Sequence, residues 1–300
     1  MAIHEIEAKT VLHYHKRKTA THWDINIYRG CGHGCRYCFA RYTHDYVSLA
    51  TPSDNSFFQE IFVKTNAPQV LERQLRSARW KGDPITIGGV SDSYQPIEGK
   101  YRIMPEILRI MIKHRNPIVI STKSTRIFRD LPLFERLAQV CPVHVGVSVS
   151  TMDPSVQQVL EPNASPTMER LELLRAFRKI GCATSVLMMP ILPWITDSYE
   201  NLEGLIRMAH QVGAQDLISG SLRLRGHTRK VFFRFLDREY SGLKEKYQEL
   251  YAGEKPSKPY RSKINCQIHT LINQYPLNLL PKRVKQTPQP SIKPEQLRLF

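Results

Sequence analysis

Three cysteines fall within eight residues, Cys31, Cys35 and Cys38 of the run RGCGHGCRYCF, at the spacing C-x3-C-x2-C. Thiolates so placed on one loop can hold three corners of a cubane iron-sulfur cluster and leave the fourth iron without a cysteine. Gly30, Gly32 and Gly34 suit that task, because glycine carries no steric penalty at positive φ and lets backbone wrap closely around a bulky group. A structural zinc site is the competitor: it takes four ligands, and His33 or His44 would complete a Cys3His set. Three ordinary thiols are the plainest alternative. Six cysteines in 300 residues are too sparse for a disulfide scaffold, and their crowding speaks for metal chemistry in a reducing compartment, the cytoplasm by default.

The elements that must position this loop are readable as periodic patterns. Short apolar, β-rich runs at 23–28, 84–88, 117–122, 144–150, 184–189 and 217–224 have strand length. Between them, 67–77, 105–114, 134–140, 167–180 and 198–212 carry helical amphipathic spacing, the last two followed by Gly181 and Gly213 as C-caps. Alternating strands and helices predict an α/β fold with a parallel sheet and outer helices. Six strands fall short of a closed eight-stranded barrel, so a partial (β/α)6 barrel of TIM type is expected, with the cysteine loop directly after its first strand. Beyond Leu224 no further strand is expected. Residues 228–251 and 263–275 read as helices, separated by a stretch with Gly253, Pro256 and Pro259. The resulting organisation is an N-terminal extension (1–21), the barrel (22–224), a basic helical C-terminal appendage (225–280) and a disordered, proline-rich tail (281–300).

Charge follows the same division. Formal charge is +16 from 43 Lys plus Arg against 27 Asp plus Glu, and residues 221–300 alone hold 17 cations and 6 anions. Such a gradient suggests a polyanionic partner, nucleic acid first. In 227–260 the cations interleave with Phe232, Phe233, Phe235, Tyr240, Tyr247 and Tyr251. Rings for bases and cations for phosphates would fit single strands; helical spacing equally fits rings in a core and cations in water. The longest apolar run, 185–194, is about half the roughly 20 residues a membrane span needs, and no secretory signal opens the chain, so no membrane association is expected.

The cysteine loop, with Phe39 after it and a β/α repeat beyond, resembles the radical S-adenosylmethionine (SAM) superfamily. NIYRGCGHGCRYCFARYTH, GGVSDSYQPIE at 88–98, STKS at 121–124, SVST at 148–151 and EP...ERLELLRAFRKIG at 161–181 are similar to the branch that contains spore photoproduct lyase. The resemblance implies a [4Fe-4S] cluster on Cys31, Cys35 and Cys38, SAM chelated to the open iron, a 5'-deoxyadenosyl radical, and a flavodoxin- or ferredoxin-type reductant. It implies SAM contacts at Phe39, Gly88, Gly89, Ser91, Lys123, Ser148, Ser150 and Arg170. One departure stands out. The cysteine hydrogen donor of spore photoproduct lyases belongs near GGVSD, where this chain has Gly89 and Val90. Tyr94 and Cys141 are weak substitutes; Tyr42 and Tyr46 are further ring candidates, and Cys182 and Cys266 read as ordinary thiols.

The chain ends in Gln296, Leu297, Arg298, Leu299 and Phe300, similar to the QLxLF peptide by which bacterial repair and replication proteins dock on the sliding clamp. Leu297, Leu299 and Phe300 behind a mobile tether suit an apolar pocket on a partner; folding back onto the barrel is the alternative. The expected activity is radical SAM chemistry on nucleic acid, DNA above RNA, in lesion repair or base modification. Modification of tRNA or a polypeptide is the alternative reading, and a non-enzymatic zinc-containing nucleic-acid-binding protein the second.

Overall fold

Alternating β-branched side chains build the sheet. In the strand Val143–Val149, the four valines at 143, 145, 147 and 149 are all buried, while His144 and Ser148 between them are half-buried on the opposite face. The computed structural model describes residues 1–16, 21–47 and 53–280, so the terminal peptide 296–300 and the rest of the tail lie outside the described residues. The strands are β1 (Ala2–Ile6), β2 (Leu12–Tyr14), β3 (Trp23–Ile25), β4 (Tyr28–Arg29), β5 (Glu60–Lys64), β6 (Ile85–Ile87), β7 (Ile118–Thr122), β8 (Val143–Val149), β9 (Ala183–Ile191), β10 (Asp216–Ser221) and β11 (Asn278–Leu280).

Six of them, β3-β6-β7-β8-β9-β10, lie side by side and parallel, and each coincides with a run marked in the sequence. The helices Ile103–His114, Leu131–Ala138, Thr167–Lys179 and Tyr199–Gln211 supply crossovers between parallel strands. Gly181 (φ +90°) and Gly213 (φ +74°) follow the last two in the left-handed conformation expected of C-caps. The sheet does not close. Its edges are β2, antiparallel to β3, and β11, parallel to β10. This is the partial barrel.

The structure departs from the sequence reading in three places. A strand does return after residue 224: β11 has three residues and follows Pro276, too short for an alternating signal. The single helix expected over 228–251 is two, Gly226–Glu239 and Leu243–Leu250, parted at Gly242, whose φ of +83° stops a right-handed helix. A second small sheet, β1-β5-β4, was not anticipated, although β5 (EIFVK) buries Ile61 and Val63 in strict alternation.

The apolar core follows the outer layer. Phe134 and Phe177 meet edge to face at 5.2 Å between helices that cover β6 to β8. Ile264, Ile268 and Leu271 of helix Lys258–Ile272 join Leu202, Leu205 and Ile206 over β9 and β10. Phe232, Phe235, Tyr247 and Tyr251 are buried as well, so the C-terminal rings form a core and their cations face water.

One glycine is fixed by the fold. Gly30, between β4 and Cys31, has φ +85°, and a Cβ there would stand 2.6 Å from the Glu60 carbonyl oxygen, a backbone atom with little freedom to yield. Gly30→Ala is therefore expected to cost more than about 2 kcal/mol in urea unfolding; an unchanged midpoint would show that the loop entry is less constrained than this geometry.

Candidate cluster and cofactor site

The cysteine loop follows β3 and β4, at the edge where the parallel strands end. It is strapped from both sides by side chains that reach its backbone. Gln95 accepts from Gly32 N–H (2.8 Å) and donates to Gly30 carbonyl (3.0 Å). Asn163 donates to the Gly32 carbonyl (2.9 Å), and its N–H bonds the His33 carbonyl (3.1 Å). Arg36 N–H reaches the Leu160 carbonyl (2.9 Å). Gly34, at φ +71°, lies where a Cβ would meet Pro162 at 3.2 Å. The loop is thus held by two segments, 92–95 after β6 and 160–163 after β8.

All three thiols are free; Cys31 and Cys35 are buried and Cys38 is partly so. Burial pushes Cys31 up to about 12, with the charge of Asp92 adding to it, and raises Cys35 and Cys38 in the same direction. Cys31 and Cys35 each feel the charge of Cys38, which places the three thiols in one cluster. Thiolates form in such a place when a metal's positive charge replaces the proton.

Of the two histidines offered for a zinc site, His33 has both ring nitrogens engaged, whereas His44 uses only one and keeps a buried, unpartnered Nδ1. His33 Nε2 lies 3.0 Å from Asp92 Oδ2 and its Nδ1 3.1 Å from the Asn163 carbonyl, while His44 Nε2 lies 2.9 Å from the Glu60 carbonyl. Among the described residues no three His, Cys, Asp or Glu side chains are arranged to hold a single metal ion. Three sulfur donors without a fourth protein ligand fit a cluster with an open iron.

Below the loop lies a buried charge network centred on Glu161, 1% exposed. Its Oε1 accepts from Tyr37 Oη, from Lys123 Nζ (3.1 Å) and from Ser150 Oγ (3.4 Å). Arg170, wholly buried, places Nη2 2.8 Å from Oε2 and donates through Nη1 to the Ser148 carbonyl. That contact is an ion pair without hydrogen-bond alignment, since Oε2 and Arg170 Nε both lack a hydrogen-bond partner. Burial by itself would raise Glu161; Lys123 and Arg170 outweigh it and bring the carboxyl down to about 2. Two cations, Lys123 and Arg170, thus converge on this one carboxylate beside the cysteine loop.

A second buried carboxylate, Asp92, accepts from Thr122 Oγ1 (2.8 Å), Lys123 N–H (2.7 Å) and Tyr94 N–H (2.8 Å) and faces His33. Burial pushes it up, but His33 and these donors hold it below the usual carboxylate range.

The residues singled out in the sequence divide accordingly. Lys123, Ser150 and Arg170 meet at Glu161, and the Ser148 carbonyl joins them. Gly88 takes φ +76° at the end of β6, a Cβ on Gly89 would make ordinary contact with Asp24 Oδ2 and Thr86 Cγ2 at 3.8 Å, and Ser91 donates to the Tyr28 carbonyl (2.7 Å) under the loop. Phe39 is 53% exposed beside Cys38. Tyr94 is buried with Oη on Asp130 (2.9 Å). Cys141 is not brought to the site: it precedes β8, at the opposite end of the parallel strands, and its thiol donates to the Asn116 carbonyl (3.3 Å). Glu161, Tyr37, Gln95 and Asn163 were missed as functional positions. Their signal was adjacency to quoted motifs, but only the fold closes the distances.

The C-terminal helices cover the loop from outside. Thr228 Oγ1 donates to the Cys38 carbonyl (3.3 Å), Asp54 pairs with Arg234 and His227, and Cys35 and Tyr37 share an apolar cluster with Leu192, Leu222, Phe232 and Tyr247.

The radical SAM family model matches residues 25–208. An uncharacterised protein of Mycobacterium tuberculosis is 36% identical over 280 residues, covering 92% of this chain and 82% of its own. One of Methanocaldococcus jannaschii is 27% identical over 173 residues, covering 58% and 61%. Among solved structures, spore photoproduct lyase complexed with dinucleoside spore photoproduct aligns with TM-score 0.68 at 14% identity, covering 92% of this chain and 81% of that one. Streptococcus suis SuiB bound to precursor peptide SuiA aligns with TM-score 0.54 at 16% identity, covering 85% and 48%. The chain belongs to the radical SAM superfamily. It is an enzyme of that superfamily, with a [4Fe-4S] cluster and SAM as its cofactors.

Removing the carboxylate strands two buried cations. Glu161→Gln is expected to lose about 3–5 kcal/mol in urea unfolding at pH 7. Because the folded carboxyl is depressed, its contribution is full at neutral pH, fades below the usual value of 4.5 and is gone near 2. The gap between wild type and Glu161→Gln should therefore begin to narrow as pH falls toward 4; a small, pH-independent gap would contradict the network.

Proposed function

We propose that this enzyme acts on nucleic acid, DNA above RNA, repairing a lesion or modifying a base. The observation that carries the reading is the likeness of nearly the whole chain to a lyase held with a dinucleoside lesion. The exposed cations Arg223, Arg225, Arg234 and Arg238 on the C-terminal side of the same molecule support it. An atom inside a duplex cannot reach a cofactor in a barrel mouth, so the target base must be unstacked or flipped. SuiB, held with a precursor peptide, favours a polypeptide as the second reading.

When bound, the cluster and SAM supply a 5'-deoxyadenosyl radical able to abstract hydrogen from substrate. The chain's own contribution is placement. Cys31, Cys35 and Cys38 would ligate the cluster, and the backbone at Gly88 and Gly89 would meet the methionyl end of the nucleotide. Lys123, Ser148 and Ser150 would contact the methionyl carboxylate or ribose, while Arg170 acts through Glu161. Ser91 fixes the segment between, and Phe39 shields the loop. Tyr94 is engaged with Asp130, and Cys141 lies at the far end of the strands, so neither serves as the hydrogen donor in this proposal. A flavodoxin- or ferredoxin-type protein would supply electrons, and the enzyme would work in the cytoplasm as the four-part chain set out above. No helix among the described residues is long and apolar enough to cross a membrane.

The substrate class is tested by deuterium transfer. With dithionite and SAM, uniformly deuterated DNA is expected to place label in 5'-deoxyadenosine, and RNA or peptide pools are not; label from peptide alone would overturn the reading. Residues 296–300 are proposed to dock on the sliding clamp. Their deletion is expected to abolish capture of the chain on immobilised clamp, and undiminished capture would remove that proposal.

A further inference from the structure

The turn after β9 has an inverted burial pattern. Leu192, Pro193 and Thr196 are buried, whereas Trp194, the largest side chain in the turn, is 47% exposed. Its backbone is in the left-handed region, φ +59°, where a bulky residue is strained. The strain is locked in. Leu192 N–H donates to Thr196 Oγ1 (2.8 Å) and Thr196 N–H to the Leu192 carbonyl (2.9 Å). Buried Tyr247 donates to the Pro193 carbonyl (2.8 Å), and Asn201 donates to the Thr196 carbonyl (2.7 Å). The Tyr247 ring also supports the indole, edge on, at 5.5 Å. A turn this well fixed that still presents a strained indole to water is expected where a ligand uses the ring.

The turn belongs to the cofactor end of the barrel. Leu192 shares its buried cluster with Cys35 and Tyr37 of the cysteine loop. The next loop is joined to it, since Leu222 N–H bonds the Ile191 carbonyl (2.9 Å). That loop carries Arg223 and Arg225, 61% and 78% exposed, which share one surface carboxylate, Glu254, at 3.8 and 3.3 Å. An exposed ring on one fixed loop and two cations sharing one counter-charge on the loop joined to it are complementary to an unpaired nucleobase and its flanking phosphates.

We propose that Trp194 is a stacking platform for an unpaired base beside the cluster, with Arg223 and Arg225 gripping the adjoining backbone. The proposal rests on the nucleic-acid reading above and specifies which surface takes the strand. Stacking holds the unstacked base at the barrel mouth, and the arginines neutralise phosphates without reading sequence.

The test uses the full, reconstituted chain and a fluorescein-labelled oligothymidylate of about 12 nucleotides, with its duplex as reference. Trp194→Gly removes the ring while suiting the left-handed backbone, so folding, checked by melting and by cluster absorbance, should survive. It is expected to weaken single-strand binding about tenfold and duplex binding little. Trp194→Phe should retain most affinity but lose the fluorescence quenching that the strand causes in wild type. Changing Arg223 and Arg225 together to Ala should lower the salt dependence of binding by roughly 1.4 in log-log slope, two phosphates' worth. Full affinity in Trp194→Gly, with wild type binding the strand, would overturn the platform and leave the nucleic-acid reading standing. Failure of wild type to bind any oligonucleotide at low salt would overturn both.

Discussion

A single buried carboxylate holds the cofactor end of this molecule together. Glu161 lies where an ionised group is costly unless its partners are all present, and its partners come from four parts of the chain: Tyr37 on the cysteine loop, Lys123 after β7, Ser150 after β8 and Arg170 on the following helix. Because none of these charges is cheap to strand, the arrangement is close to all or nothing. It couples the cysteine loop to the strand ends by electrostatics.

The rest of the architecture serves that constraint. A parallel sheet delivers loops from β6, β7, β8, β9 and β10 to one edge. Asp92 performs for the β6 loop what Glu161 performs for the β8 loop, joining His33 to Thr122 and Lys123. The C-terminal helices close the outside by burying Phe232, Phe235, Tyr247 and Tyr251 against Cys35 and Tyr37. These rings are thus spent in the core, while Trp194 and the cations Arg223 and Arg225 stay exposed.

The parallel strands and their helices were legible in the sequence because each is a single element with its own period. Val143 to Val149 alternates, and Thr167 to Lys179 repeats at helical spacing up to Gly181. The cysteine loop was legible because its three thiols lie within eight residues. What was not legible is pairing over distance. Glu161 and Tyr37 are 124 positions apart, and Asn163 and Gly32 are 131; no local pattern links them. The alternation of Ile61 and Val63 was visible but brief, and β1 and β4, its partners, bury too little to show a period. Arg170 stood out in the sequence as a cofactor contact, and only the fold shows it wholly buried against Glu161. Cys141 could be placed away from the chemistry only once strand direction was known.

The account stands on three thiolates leaving one iron for SAM. Electron-nuclear double resonance of the reduced, reconstituted enzyme with SAM carrying nitrogen-15 at the methionyl amine tests this directly. A nitrogen coupling strong enough to require a bond to iron is the predicted result. A cluster whose magnetic spectrum is unchanged by bound SAM, with no coupling to the label, would contradict it.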